Sequence, residues 1–189
     1  MSRRGVLLPL AAGILTFGIL VLGRAGAQAD EGKTVDCSEI TLKFDAPGYK
    51  VTCKDESDSS VSVGELNAGI AASTLHAFSA TEITFLDAVD EHVLGGTRIY
   101  ITRRTLQSDI EHFYSGSFSD WGAENDLGGF EVEHVTAKFS GDPVECLAFR
   151  KLGGRRREGV SGLTAGIVCS MQGRDHAMEA LKHFSGGGS

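Results

Sequence analysis

Through the last third of the chain, apolar and polar residues alternate with a period of two, the mark of half-buried β-strands. Phe130 and Val132 share one parity, and Val135, Ala137 and Phe139 the other. One extra residue at His134, a β-bulge, would bring all five onto a single face. Residues 144–152 are apolar on both parities for much of their length, as a central strand is, and Leu163, Ala165, Ile167, Cys169 and Met171 alternate without a break. Nearer the start, Ile40, Leu42 and Phe44 alternate with Thr41, Lys43 and Asp45, and Tyr49, Val51 and Cys53 with Lys50, Thr52 and Lys54. Pro47 and Gly48 between them suit the second and third positions of a type II turn, which predicts a hairpin. A further strand is expected over residues 97–102, where Ile99, Tyr100 and Ile101 cluster.

Helical spacing shows in three places. Ser62 and Glu65 form a capping-box pattern ahead of Val63, Leu66, Ile70, Ala77 and Phe78, which predicts a helix there. Leu106, Ile110 and Phe113 predict a short helix, and Ala177, Leu181 and Phe184 a closing amphipathic one. Residues 79–93 fit either type: Ser79 and Glu82 repeat the capping pattern, whereas Glu82, Ile83, Thr84 and Phe85 alternate as a strand would. Two stretches read as loops. Residues 55–60 are acidic but lack the Gly and distal Glu of a calcium-binding loop. Residues 115–129 are rich in Gly, Ser and Asp and hold the single Trp, Trp121, expected as a plug over the edge of the core. The fold class expected is α+β: an antiparallel sheet with a few short helices.

The N-terminus changes the setting. Arg3 and Arg4 precede an uncharged apolar run over residues 5–23, and Ala27, Gln28 and Ala29 make the small-x-small pattern a signal peptidase reads. Residues 1–29 are therefore expected to be a cleavable signal, residues 30–185 one exported domain, and residues 186–189 a flexible Gly-Gly-Gly-Ser tail. The paired arginines leave general secretion and twin-arginine export both open, and an uncleaved anchor is the competing reading of the apolar run. Cleavage would remove three Arg and no acid, taking the net charge from −7 to −10. Such a balance argues against nucleic acid or an anionic membrane as the main partner. With no Cys directly after the apolar run, no stable membrane insertion is expected after cleavage, and the location expected is periplasmic or secreted.

All four cysteines lie beyond that signal, and an even count in an oxidising compartment reads as two disulfides. Folding the chain about a loop at residues 153–162 sets Leu152 opposite Leu163, Ala148 opposite Ile167 and Cys146 opposite Cys169. Cys37 is left for Cys53. On the loop-entropy model each bridge contributes about 3 kcal/mol.

Candidate chemistry is sparse. Of the six histidines, His92, His112, His134 and His176 each follow an acid directly, but adjacent residues on a strand or helix do not face each other, so these are not dyads. His76 and His183 stand alone. There is no H-E-x-x-H, no C-x-x-C and no G-x-S-x-G elbow, so neither a metal site nor a catalytic nucleophile is nominated, and no cofactor is called for. Arg155, Arg156 and Arg157, at the tip of the proposed hairpin, form a basic exception on an acidic chain and are the candidate binding residues for a phosphate, a carboxylate or an acidic protein surface.

The run from Cys146 through the hairpin to Gly166, Ile167, Val168 and Cys169, followed by the closing helix, resembles the C-terminal part of small uncharacterised secreted proteins of alphaproteobacteria. The resemblance spans about a third of the chain and implies a bacterial envelope setting, with no catalytic residue to transfer. The expected function is an exported binding module for a protein or a small anionic ligand, with a small periplasmic hydrolase using His and carboxylate groups as the alternative.

Overall fold

The computed structural model describes residues 32–57, 62–63, 66–67, 70–93, 105–156 and 159–187. In chain order the elements are β1 (Lys33–Val35), a 3-10 turn (Cys37–Glu39), β2 (Lys43–Phe44), β3 (Lys50–Asp55), β4 (Ser62–Val63), β5 (Leu66–Asn67), β6 (Ile70–Ser79) and β7 (Thr84–Val93). There follow α1 (Leu106–Phe113), β8 (Ser117–Ala123), β9 (Glu131–Lys138), β10 (Val144–Leu152), β11 (Arg155–Arg156), β12 (Gly159–Val160), β13 (Gly162–Ser170), α2 (Arg174–Lys182) and β14 (Phe184–Ser185). Eight strands form one antiparallel sheet in the order β1-β3-β6-β7-β13-β10-β9-β8. Among the described residues no helix is long and apolar enough to cross a membrane.

Each face of this sheet has its own core, and that explains the parity change along β9. Val132 and Val135 are both buried, but Val132 belongs with Phe130, Leu147, Phe149 and Val168, and Val135 with Ala137, Cys146, Ala148 and Cys169. The β9–β10 ladder runs unbroken from Val144↔Ala137 to Arg150↔Glu131, so the bulge expected at His134 is absent. It lies on the neighbouring edge strand β8, where Asp120 and Trp121 together oppose Val135, and Asp120 takes φ +56°. That edge strand corrects the expected loop over residues 115–129. Trp121 does pack, half-buried, against the core edge.

On one face α2 places Ala177, Ala180 and Leu181 over Leu75, Ala77, Leu86 and Val168. Phe184 is not part of this helix, as its spacing had suggested; it sits in β14, pairs with Phe44 of β2, and its ring lies 5.0 Å from that of Phe149 and 5.5 Å from that of Phe130. Room for Phe149 is made by Gly166 across the ladder, where a Cβ would overlap the Phe149 ring and come within 2.6 Å of the Asp87 carbonyl oxygen. Gly186 and Gly187 continue past β14 at φ +111° and +71°, close against Thr41, Leu42 and Thr164. On the other face α1, capped by the Thr105 hydroxyl accepting from Ser108 N–H at 3.1 Å, sets Leu106, Ile110 and Phe113 over Val89, Leu163, Ala165 and Ile167. The guanidinium of Arg150 reaches from β10 to Asp109 of α1 at 2.8 Å and to Glu131 at 3.0 Å.

Two further expectations change, and one open stretch takes a definite form. Residues predicted as a helix from Ser62 to Phe78 form β4, β5 and β6 instead: pairing of β6 with β3 and β7 buries Leu75 and Ala77 and leaves His76 and Phe78 open, a period of two that overrides the local helical spacing. The ambiguous stretch becomes strand β7. The hairpin over residues 40–54 also fails, although Gly48 does take the φ of +84° that its turn requires. β2 turns away to pair with β14, and β3 pairs with β1 and β6, because Leu42 is fully buried in the layer over the sheet rather than in the sheet. The strand expected at residues 97–102 lies outside the described residues.

Both disulfides form as deduced. Cys146 faces Cys169 across the β10–β13 ladder, with Cα atoms 4.1 Å apart, and Leu152↔Leu163 and Ala148↔Ile167 share its register. Cys37, in the 3-10 turn after β1, reaches Cys53 on β3 with Cα atoms 5.2 Å apart.

Candidate functional site

Among the described residues α1 alone lies over its face and is too short to cover it, and the end it leaves open is aromatic. Phe78 on β6 stands directly across from Phe85 on β7, and Phe85 across from Cys169 on β13. From Phe85 a chain of edge-on or tilted rings runs to Phe139 at 5.8 Å, then Phe118 at 6.0 Å, then Trp121 at 6.1 Å. Three of the four large apolar side chains left exposed among the described residues gather at this end: Phe78 (41 % exposed), Ile83 (50 %) and Met171 (61 %). Scattered apolar residues are ordinary on a surface, and three of four at one end of the sheet are not scattered.

The turn that presents Ile83 is strained and braced. Ile83 takes φ +48°, a region that a β-branched residue rarely enters. Its carbonyl accepts the Met171 N–H at 3.1 Å, joining the β6–β7 turn to the start of the α2 connection. Beneath it the buried hydroxyls of Thr84 and Ser170 bond at 2.8 Å, Thr84 also donates to the Glu82 carbonyl at 3.2 Å, and Ser79 accepts the Glu82 N–H at 3.3 Å. Backbone strain of this kind costs about 1–3 kcal/mol and persists only where surrounding contacts over-determine it.

Polar groups border the shelf on the β3 side. Lys50, Thr52 and Lys54 face the same way as Phe78, His76 and Thr74, their respective cross-strand partners. His76 Nδ1 lies 2.6 Å from Asp87 Oδ1 on β7. The hydrogen bond to Asp87 raises the His76 pKa above its usual value, against the opposing effect of partial burial. Tyr114 donates to the Asp87 carbonyl at 2.9 Å, which ties the end of α1 to this row. Neither Lys50 nor Lys54 forms an ion pair among the described residues. The nearby Glu82 is engaged by the Tyr49 hydroxyl at 2.8 Å, and burial followed by that carboxylate pushes Tyr49 up to about 12, so it stays a donor.

A second concavity of about 560 Å³ opens on the opposite face at the start of α2, lined by Asp120, His134, Glu145, Gln172, Arg174 and Asp175 among others. Its charges are mostly turned on each other. Glu124 accepts from Arg174 at 2.9 Å and lies 3.3 Å from His134 Nδ1, while Glu145 accepts the Arg174 backbone N–H at 3.2 Å. Among the described residues no cluster of three or more His, Cys, Asp or Glu could hold a metal ion.

Arg155 is exposed on β11, which pairs with β12 to extend the β10–β13 hairpin; Arg157 lies outside the described residues. This tip continues from the Leu152↔Leu163 end of the ladder, opposite the Cys146↔Cys169 end that borders the shelf, so Arg155 and the aromatic shelf are not one site. The residues missed in the sequence are Phe78, Phe85 and the His76–Asp87 pair. No local spacing marks them, since His76 has no acid beside it and meets Asp87 only through the β6–β7 register. Compared with protein-family models, curated proteins and solved structures, the chain matches none of them.

Proposed function

We propose that this chain is an exported binding module and that the aromatic shelf at the uncovered end of the α1 face is its binding surface. The observation that carries the reading is the grouping of Phe78, Ile83 and Met171 in the open around Phe85, on a turn whose strained Ile83 is held in place by buried hydroxyls. Leaving these side chains in water forgoes about 25 cal/mol for every Å² of apolar area that could be buried, and a bound apolar surface recovers it. Two disulfides fit an oxidising compartment, and residues 1–29 carry the features of an export signal.

The hydrolase reading draws on one specific feature, the His76–Asp87 pair. Such a pair is the base and orienter of an acyl-transfer site, but among the described residues no hydroxyl or thiol hydrogen-bonds to His76 as a nucleophile would. Binding is therefore the better-supported function. Arg155, Arg156 and Arg157 remain a separate proposed contact for an acidic surface, with Arg155 at the other end of the sheet.

The test is the fluorescence of an environment-sensitive apolar dye on the mature, oxidised protein. The native protein should enhance it at micromolar concentration, and Phe78→Ser and Met171→Ser should each reduce the enhancement without shifting the thermal midpoint by more than a few degrees. Dye binding that survives both changes refutes the shelf as the binding surface.

A further inference from the structure

We propose that the ligand of the shelf is a monomeric amphipathic anion, a fatty carboxylate, with its acyl chain over Phe78, Phe85, Ile83 and Met171 and its head group beside Lys50. This rests on the reading of the shelf as a binding surface and adds the class of ligand.

Although the chain as a whole is acidic, with a net charge of −7, the groups flanking Phe78 on this face are basic. Lys50 lies directly across the ladder from Phe78, His76 two residues along β6, and Lys54 four residues beyond Lys50. Among the described residues no neighbouring carboxylate forms an ion pair with Lys50 or Lys54. Asp87 holds His76, Glu82 holds the Tyr49 hydroxyl, and Glu56 lies against Thr74 at 3.4 Å, past Lys54. An apolar shelf bordered by two ammonium groups that have no ion-pair partner among the described residues matches a molecule with an apolar tail and one anionic end.

The size of the shelf points the same way. Phe78, Ile83 and Met171 expose 41, 50 and 61 % of their surfaces, on the order of 300 Å² together for side chains of about 150–250 Å² each. A stable pair of protein copies needs about 800 Å² from each partner, well beyond this shelf. One flank of a single acyl chain needs no more than the shelf provides. The edge-on and tilted rings, at 48–81° to one another, present an uneven surface that suits a flexible chain better than a flat ring system.

The experiment is calorimetric titration of the full mature, oxidised protein with three probes of equal tail length: decanoate, decanol and decyltrimethylammonium. The expected order of affinity is decanoate first, decanol weaker and the cation weakest. Lengthening the carboxylate should tighten binding about twofold per methylene, half the effect of full burial. Lys50→Gln, at an exposed position, should weaken decanoate about fivefold, leave decanol unchanged and reduce the salt dependence. Phe78→Ser should weaken decanoate and decanol alike.

Equal binding of all three probes, abolished by Phe78→Ser, overturns the anionic assignment and leaves the shelf intact. Absence of binding by any probe, with the apolar dye still bound, also overturns it and points to a protein partner. Binding to vesicles containing phosphatidylglycerol but not to monomeric decanoate overturns it in favour of a membrane surface. Loss of both dye and probe binding removes the shelf reading itself.

Discussion

Asp109 is the residue whose removal most sharply tests how the α1 face is assembled. It is fully buried, and it accepts from the Arg150 guanidinium at 2.8 Å, so one ion pair joins the helix to the central strand β10. Asp109→Ala leaves the guanidinium, itself 8 % exposed, with Glu131 as its remaining carboxylate partner among the contacts described above. Breaking a buried pair costs about 3–5 kcal/mol because a charge is left desolvated, and the half-exposed Glu131 holds the loss to the lower end, about 3 kcal/mol. For a domain of this size that is a fall of about 6–12 °C in the thermal midpoint. The partner variant separates charge from packing: Asp109→Leu combined with Arg150→Met removes both ions and should restore most of the stability. Urea denaturation with both disulfides intact, followed by far-ultraviolet circular dichroism, measures all three. A loss below about 1 kcal/mol for Asp109→Ala, or a double variant no more stable than the single, refutes the claim that the ion pair holds α1 in place.

Further outcomes follow from other contacts. His76 has its pKa raised by Asp87, so the pair stabilises the fold fully below the ordinary histidine pKa, about 6.5, and that contribution is lost as pH rises through the higher folded value. With His76 45 % exposed the effect is under about 1 kcal/mol, read as a wild-type advantage over His76→Gln that is larger at pH 5.5 than at pH 8.5; an advantage that grows with pH contradicts the pairing. Gly166→Ala should cost about 3 kcal/mol, because its methyl would overlap the Phe149 ring and crowd the Asp87 carbonyl, and a thermal midpoint within 2 °C of wild type would show that the sheet yields there. Reducing both disulfides, which span 16 and 23 residues, should cost about 6 kcal/mol in total, seen as a lower urea midpoint in reductant. Changing Arg155, Arg156 and Arg157 together to Ala should weaken capture of an acidic partner while leaving dye binding on the shelf unchanged.

What could be read from the sequence was decided by how local each signal is. The β10–β13 ladder was legible to the residue, because the two strands are joined by one loop and their alternation has a centre of symmetry, and Cys146 and Cys169 then had to meet. α1 was legible because Leu106, Ile110 and Phe113 complete their pattern within eight residues. β6 was not. Its Ala77 and Phe78 could equally belong to a helical stripe with Val63, Leu66 and Ile70, and the choice is made by β3 and β7, strands whose pairing the local sequence does not announce.

The same dependence on partners explains both the misplaced bulge and the missed site. A change of hydrophobic parity within a strand has two physical solutions, an extra residue that returns the chain to one face or a second core on the other face. Pattern alone does not choose between them. In β9 the second solution holds: Val132 faces the α2 core and Val135 the α1 core, at opposite sides of an uninterrupted ladder. Once both faces must be covered, the supply of covering elements becomes the deciding quantity. The α2 face receives a nine-residue helix, β2 and β14, whereas the described cover of the α1 face is an eight-residue helix that leaves Phe78, Ile83 and Met171 in the open. That shortfall is a property of the assembled sheet, which is why an exposed aromatic shelf emerges from a stretch whose own sequence suggested a helix followed by an undecided segment.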